Sequence, residues 1–193
     1  MLKKEITKEE IIELPLYAYD REVVIVHEEQ AIDQVMENLS KNTIIGFDTE
    51  SKPVYKRGHF NHVSLMQLAL PDIVYLLRLQ KTGLTQSIIQ FMEDDRIIKV
   101  GIAIDDDLIA LKKRRAFHPA GFRDLNKIAL NAGSISIGAK KLTALVLGKR
   151  ISKRQQRSNW ENPRLSEQQI AYAATDAWIC QAIYKRFLEE GIM

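Results

Sequence analysis

Three short segments of this sequence carry carboxylates where hydrophobic packing would otherwise be expected. In residues 43–50 (TIIGFDTE), a β-branched and aromatic run ends in Asp48 and Glu50, two positions apart. Such residues favour strands, and positions i and i+2 of a strand point to the same face. The sequence therefore predicts a strand whose end presents a pair of carboxylates.

A second segment places an acid on a long amphipathic helix. Ser166 and Gln169 match the capping-box pattern, which predicts a helix from about residue 167 towards Glu189. Tyr172 and Asp176 are then one turn apart and share a face of this helix. Steps of about 100° per residue place Asp176 along its apolar flank.

The third segment is the run Asp105, Asp106 and Asp107 at the start of an expected short helix. Buried carboxylates are costly without a compensating cation, and neighbouring acids also repel one another. A divalent metal ion removes both penalties. Oxygen ligands favour Mg²⁺ or Mn²⁺, whereas zinc prefers the His and Cys side chains that these segments lack. The residues leave a second interpretation open, in which the acids are helix caps and surface groups.

The order and separation of the acidic segments resemble the motifs of the DEDDy group of 3′-5′ exonucleases, which includes ribonuclease D and the Werner-type exonuclease domain. The matching sequences are FDTE at 47–50, VGIAIDDDL at 100–108, SNW at 158–160, LS at 165–166 and YAATDA at 172–177. The resemblance extends over roughly residues 22–190. It implies an α/β fold of the ribonuclease H-like type, a mixed sheet with helices on both faces.

Carried over position by position, the resemblance implies four metal ligands and one water-orienting residue. The expected ligands are Asp48, Glu50, Asp107 and Asp176. Asp107 fits the family pattern because an apolar residue follows it directly and a Leu stands four positions later; Asp106 is the alternative. Tyr172 matches the family tyrosine, and its ordinary pKa near 10 favours orientation of a water over proton abstraction.

The resemblance also implies the reaction. Two Mg²⁺ or Mn²⁺ ions would activate a water on one side of a phosphodiester and stabilise the departing 3′ oxygen on the other. Asp48 would bridge both ions, Glu50 and Asp176 would bind the ion holding the water, and Asp107 would serve the leaving-group ion. The expected activity removes nucleoside 5′-monophosphates from the 3′ end of single-stranded or frayed DNA or RNA. The alternative is a catalytically inactive nucleic-acid-binding module of the same fold.

Basic residues are concentrated in one part of the chain. Residues 112–157 contain 13 Lys and Arg and a single acid, Asp124, whereas the formal net charge of the whole chain is only +3. A basic half beside an acidic metal centre suits a phosphate backbone. Strand contacts are expected from the loop after the first motif and from the stretch before Trp160. The candidate residues are Lys52, Lys56, Arg57, Lys153, Arg154 and Arg157.

Length and composition are typical of one enzyme domain. With 193 residues, 46% hydrophobic and 27% charged, the chain can bury a core. We expect one exonuclease domain over residues 1–193, with residues 1–21 as an N-terminal extension. No apolar stretch approaches the roughly 20 residues that span a bilayer, and the first residues lack a secretion signal, so we expect a cytoplasmic protein without a membrane partner. Cys180, the only cysteine, is expected to be a packed core thiol.

Hydrophobic periodicity predicts alternating strands and helices. The predicted strands are 23–26, 43–49, 63–70, 73–79, 97–100 and 122–124. The predicted helices are 28–39, 84–92, 105–113, 125–131, 139–147 and 167–189. Three consecutive strands followed by alternation indicate a mixed sheet, with strand 43–49 at its centre.

Overall fold

The structure is a computed structural model that describes residues 2–56 and 58–192. Within these residues the strands are β1 (Leu16–Tyr17), β2 (Glu22–Val26), β3 (Ile44–Ser51), β4 (Val63–Ala69), β5 (Ile73–Leu77), β6 (Ile98–Gly101), β7 (Phe122–Asp124) and β8 (Arg150–Ile151). Six of them form one sheet in the order β2-β5-β4-β3-β6-β7. β4 runs antiparallel to β3 and β5, and the other pairings are parallel. The predicted mixed sheet with a central β3 is confirmed.

The described helices lie on both faces of this sheet. They are α1 (Lys8–Glu13), α2 (Ile32–Ser40), α3 (Leu79–Thr82), α4 (Gln86–Glu93), α5 (Asp105–Lys112), α6 (Leu125–Asn131), α7 (Ala139–Leu147) and α8 (Glu167–Glu189). Buried side chains of α2, α4 and α5 pack with Ile45 and Phe47 of β3 in one core. Those of α6, α7 and α8 pack with Val100 of β6, Leu65 of β4 and their neighbours on the other face.

Most predicted elements are present, and the sequence signals explain their ends. Helix α8 starts at the predicted capping box, where the Gln169 amide donates to Ser166 Oγ and the Ser166 amide donates to Gln169 Oε1. The predicted boundaries of α6 and α7 also agree with the structure. The predicted helix 28–39 is wrong in its first turn, since residues 29–31 form a 3-10 turn and α2 begins at Ile32. Cys180 is buried in the α8 core, as predicted.

The segment before β2 is folded onto the body of the protein. Helix α1 has a capping box of its own between Thr7 and Glu10, and β1 pairs in parallel with β8. The carbonyl oxygen of Lys4 accepts a hydrogen bond of 2.8 Å from the Ile135 amide. No strand or helix is predicted here from hydrophobic periodicity, although the capping-box pattern of Thr7 and Glu10 indicates α1.

Close contact between β3 and α8 sets the position of the acidic segments. A Cβ added at Gly46 would overlap the backbone carbonyl of Ala177, so only a glycine allows the helix to approach the strand this closely. Asp48 and Glu50 follow Gly46 on the same face of β3, and Asp176 precedes Ala177 on the helix. The packing therefore brings both acidic segments to one point. Among the described residues, no helix is both long enough and apolar enough to cross a bilayer.

Candidate active site

Three of the predicted ligand acids meet between β3 and α8. One carboxylate oxygen from each of Asp48, Glu50 and Asp176 lies within 4.8 Å of the other two. Asp176 is buried, with 4% of its surface exposed, while Asp48 and Glu50 are half-buried. The cluster lines a cleft of about 310 Å³ that also contains Tyr172. A larger cavity of about 660 Å³, between β2 and α2, contains none of these acids.

The strand that carries Asp48 and Glu50 extends further than predicted. β3 continues to Ser51, so Glu50 lies within the strand and pairs opposite Leu65 of β4, while Asp48 pairs opposite Gln67. The register is regular up to Glu50 and shifts between Glu50 and Ser51. Because the pairing remains regular through both acids, they keep the same face, as the spacing predicted.

Asp107, the fourth predicted ligand, lies on the first turn of α5; it is not part of this three-acid cluster and does not line the cleft. Its carboxylate accepts a hydrogen bond from the hydroxyl of Thr49, which points to the opposite face of β3 from Asp48 and Glu50. Asp105 and Asp106 are exposed, and Asp105 forms an ion pair of 2.7 Å with Lys127. Of the three consecutive acids, Asp107 is therefore the one that contacts β3.

The acids are held in an environment that disfavours their charge. Burial, followed by the charges of Asp48 and Asp176, raises the pKa of Glu50 to about 10. Burial and then repulsion from Asp176 and Asp107 raise the pKa of Asp48 well above its ordinary value. Burial also raises the pKa of Asp107 to about 6, against the opposing hydrogen bond from Thr49. Because burial and mutual repulsion disfavour the ionised carboxylates, a bound cation would stabilise them.

Lys153 is the cation that the protein itself places in the cluster. Its Nζ lies 2.6 Å from Oδ2 of Asp176 and 3.4 Å from the hydroxyl of Tyr172. Burial raises the pKa of Asp176, and the charge and hydrogen bond of Lys153 oppose that rise. Lys153 is a predicted strand-binding residue, and no motif in the sequence indicates this ion pair with Asp176. The residue follows β8, whose position depends on pairing with the distant β1.

Tyr172 lies one turn before Asp176 on α8. It is buried, with 7% of its surface exposed, and its ring centroid lies 5.9 Å from that of Trp160. Trp160 is fully buried beneath the helix. Burial, then the charges of Asp176 and Glu50, raise the pKa of Tyr172 above its ordinary value. The hydroxyl therefore keeps its proton at neutral pH and can donate it in a hydrogen bond.

The residues present fit divalent metal ions that prefer oxygen ligands. Oδ1 of Asp176 is buried and has no hydrogen-bond partner among the described residues. An unpartnered carboxylate oxygen is costly to bury, and a metal ion directed at it would remove that cost. The oxygen-only donor set of Asp48, Glu50 and Asp176 matches the preference of Mg²⁺ and Mn²⁺.

Four of the remaining predicted strand-binding residues, Lys52, Lys56, Arg154 and Arg157, do not line the acidic cleft. Arg154 and Arg157 are exposed on the stretch that contains Lys153, and Lys56 is exposed on the loop after β3. Lys52 forms an ion pair of 3.3 Å with Glu161. Arg57 lies outside the described residues.

Part of the basic half predicted over residues 112–157 has a structural role. Arg114 donates to the carbonyl of Val63 at 2.7 Å and Arg115 to that of Leu84 at 2.8 Å. Arg150 donates to the carbonyl of Leu14 at 2.8 Å. The guanidinium groups of these arginines donate to backbone carbonyls, so each has a contact within the fold itself. A count of charges along the sequence does not distinguish an arginine that binds a backbone carbonyl from one that binds a phosphate.

A strained turn positions the helix that carries Asp107. Ala103 has a φ of 60°, and its amide donates a hydrogen bond of 3.2 Å to Asp124 Oδ1. The same oxygen caps α6 through the amide of Asn126 at 2.8 Å. Asp124 thus joins the turn before α5 to the start of α6. The sequence predicts Asp124 only as the end of a short strand, and this capping role is a finding of the structure.

Comparison with known proteins agrees with this geometry. The sequence profile of a 3′-5′ exonuclease family matches residues 23–192. The chain belongs to the 3′-5′ exonuclease family. A 3′-5′ exonuclease of Arabidopsis thaliana is 32% identical over 155 residues, covering 73% of this chain and 51% of the relative. Ribonuclease D of Gluconacetobacter diazotrophicus is 30% identical over 168 residues, covering 86% of this chain and 42% of the relative.

Solved structures of related exonucleases share the fold. The Nibbler EXO domain of Aedes aegypti superposes with a TM-score of 0.81 at 24% identity, covering 90% of this exonuclease and 94% of that chain. Escherichia coli RNase D gives a TM-score of 0.76 at 22% identity, covering 90% of this chain and 46% of that one. The predicted ribonuclease H-like fold is confirmed. This exonuclease spans about half the length of the curated relatives described above.

Proposed function

We propose that this exonuclease removes nucleoside 5′-monophosphates from the 3′ end of single-stranded or frayed DNA or RNA, with two Mg²⁺ or Mn²⁺ ions. The observation that carries the proposal is the convergence of Asp48, Glu50 and Asp176, three acids from two distant segments, on one cleft beside Tyr172. Three carboxylates within 4.8 Å of one another repel strongly unless cations neutralise them.

The chain offers three acids in the cleft as ligands for such ions. Asp48, Glu50 and the unpartnered Oδ1 of Asp176 would hold metal directly, and Asp107 would contribute from α5, directly or through water. When bound, divalent ions lower the pKa of water and neutralise charge that develops on a phosphodiester. Burial of the acids makes this neutralisation more effective than it would be in bulk solvent.

Tyr172 is assigned to the orientation of the attacking water. Its raised pKa keeps the hydroxyl protonated, so it donates a hydrogen bond and does not remove a proton. Contact with the ring of Trp160 and burial on α8 fix the direction of the side chain. A hydroxyl fixed in this way reduces the orientational freedom of a water beside the acids.

Lys153 is assigned to the substrate phosphate. In the described structure its ammonium contacts Asp176 and Tyr172, at the edge of the cleft. Once metal ions share the charge of Asp176, the ammonium can donate to a non-bridging phosphate oxygen instead. Arg154, Arg157, Lys52, Lys56 and Arg57 would contact the backbone of the strand further from the reacting bond.

RNA is one candidate substrate. A ribonuclease D relative matches this chain. A solved structure of Trypanosoma brucei RNase D, whose chain is 16% identical to this one, is a complex with RNA U12. The relatives also include the mouse bifunctional exonuclease and helicase WRN, at 30% identity. Matched DNA and RNA strands therefore both belong in the test.

The test is digestion of 5′-labelled single-stranded DNA and RNA oligomers of the same sequence, with Mn²⁺, with Mg²⁺ and with EDTA. We expect a ladder that shortens from the 3′ end only with metal, and mononucleotides that carry a 5′ phosphate. Asp176→Asn should abolish the ladder. Asp105→Asn changes an exposed acid of the run 105–107 and should keep it. Binding of the strands without shortening under any metal condition would refute the proposal and favour the inactive binding module.

A further inference from the structure

The N-terminal segment, residues 2–17, lies outside the part of the chain that matches the exonuclease profile. It nevertheless packs beside the stretch that carries Lys153. The Ile6 amide donates to Ser136 Oγ at 3.1 Å, and β1 pairs with β8. Lys153 follows β8 by two residues. The match to the family profile begins at residue 23 and therefore does not include this segment.

The segment forms one side of a groove that opens into the acidic cleft. Lys8, Ile11 and Ile12 of α1 line one side of this groove, which has a volume of about 600 Å³. The other side comes from Ile137 and the first turn of α7, which carries Lys140 and Lys141. Lys153 and Gln156 line both the groove and the acidic cleft, so the two are continuous.

Both apolar and cationic side chains line this groove. Ile12 is 67% exposed and Ile137 is 41% exposed, so both side chains are accessible to a ligand in the groove. Lys8, Lys140 and Lys141 form no ion pair with a carboxylate of the described residues. The acids of α1 are not among the described residues that line the groove.

We propose that this groove binds the nucleotides on the 5′ side of the scissile phosphodiester. The proposal rests on the proposed function and names the path of its substrate. Lysines bind phosphates through charge, and apolar side chains pack against the faces of unstacked bases. Only one nucleotide lies on the 3′ side of the reacting bond, whereas a groove that runs from the acids to the surface fits the continuing strand.

The variant Lys8→Gln/Ile12→Ser tests the groove without disturbing the cleft, because both side chains are exposed. Two substrates separate strand binding from chemistry: a 12-nucleotide strand, and the p-nitrophenyl ester of thymidine 5′-phosphate, which has no 5′-side nucleotide. We expect the KM for the strand to rise about tenfold, a typical loss for one base contact, with kcat unchanged. Hydrolysis of the ester should remain at the wild-type rate.

The control Lys185→Gln/Leu188→Ser likewise changes a lysine and an exposed aliphatic residue, at the end of α8, and should leave the hydrolysis of both substrates unaffected. In EDTA, the slope of log affinity against log salt for the 12-nucleotide strand should fall by about one in the Lys8→Gln/Ile12→Ser variant. An unchanged KM for the strand, with an active wild-type enzyme, would overturn the groove proposal alone. Equal losses on strand and ester would also overturn it, because the segment would then act on the catalytic residues. An inactive wild-type enzyme would instead refute the proposed function.

Discussion

Nζ of Lys153 lies 2.6 Å from Oδ2 of Asp176, and the two side chains are only 20% and 5% exposed. A lysine ammonium thus compensates a carboxylate in the middle of an acidic cluster. Divalent ions and the ammonium of Lys153 would compete for the same carboxylate, that of Asp176. Metal binding should therefore be linked to the strength of this ion pair.

Lys153→Met should expose this linkage. Without metal, the variant should lose about 1–3 kcal/mol of unfolding free energy, because Asp176 is left buried without a partner. The rise in Tm on addition of Mn²⁺ should be larger than in the wild type, since no ammonium competes for the carboxylate. Thermal unfolding in EDTA and over a Mn²⁺ titration measures both effects. Lys41→Met, at an exposed pair with Glu37, should change neither; an equal Mn²⁺ response in Lys153→Met would contradict the linkage.

Tyr172→Phe should separate catalysis from metal binding. The change removes one hydroxyl and keeps the ring that packs against Trp160, so the fold should be retained. We expect kcat to fall about 100-fold if the hydroxyl orients the water. Mn²⁺ affinity, followed by calorimetry, should be unchanged. A variant with the wild-type rate would exclude this role for Tyr172.

Ala103→Gly should stabilise the protein by up to about 1 kcal/mol, because it relieves the left-handed backbone of the turn before Asp107. Urea unfolding gives the change in free energy. Ala110→Gly is the matched control in the interior of α5, where the same substitution should destabilise by roughly 0.5–1 kcal/mol. Destabilisation at both positions would show that the turn at Ala103 carries no strain.

Gly46→Ala should damage both the fold and the site. The added methyl group would meet the backbone carbonyl of Ala177, and forced overpacking typically costs about 1–3 kcal/mol. Because α8 would have to move away from β3, nuclease activity should fall more than stability alone explains. Gly191→Ala, where a Cβ meets nothing within 4 Å, should cost only its backbone strain and leave activity intact. Comparable activity in the two variants would argue against the close approach of β3 and α8.

Without metal, stability should fall as pH rises. The pKa of Glu50 is about 10 in the folded protein against an ordinary value of 4.5, so the folded state binds more protons between these limits. Unfolding free energy should then decrease from pH 5 to pH 9, by up to about 1.4 kcal/mol per pH unit for this group. Urea unfolding in EDTA across this range provides the measurement. Glu50→Gln should flatten the dependence, and an increase of stability with pH would show that the acids are not buried as described.

Much of the site was predictable because its key signals are local. The spacing of Asp48 and Glu50 fixes their common face in any strand. The capping box at Ser166 fixes the register of α8 and therefore places Asp176 on the buried flank. These inferences need only the periodicity of strands and helices.

The position of Lys153 could not be predicted in this way. It depends on two strands of two residues each, β1 and β8, that pair across more than 130 positions of sequence. No periodicity can be detected in so short an element. The use of Arg114 and Arg150 on backbone carbonyls likewise depends on loops that approach only in the folded protein.

The register of β3 has a consequence for how the enzyme loses function. β3 is paired with β6 at residues 44–46 and with β4 from Gly46 through both acids. A slip of one residue would turn Asp48 and Glu50 towards the side of Thr49. Interior strands with partners on both sides are among the last parts of a protein to open. Partial unfolding that spares the pairing of β3 with β4 should thus leave these carboxylates in place.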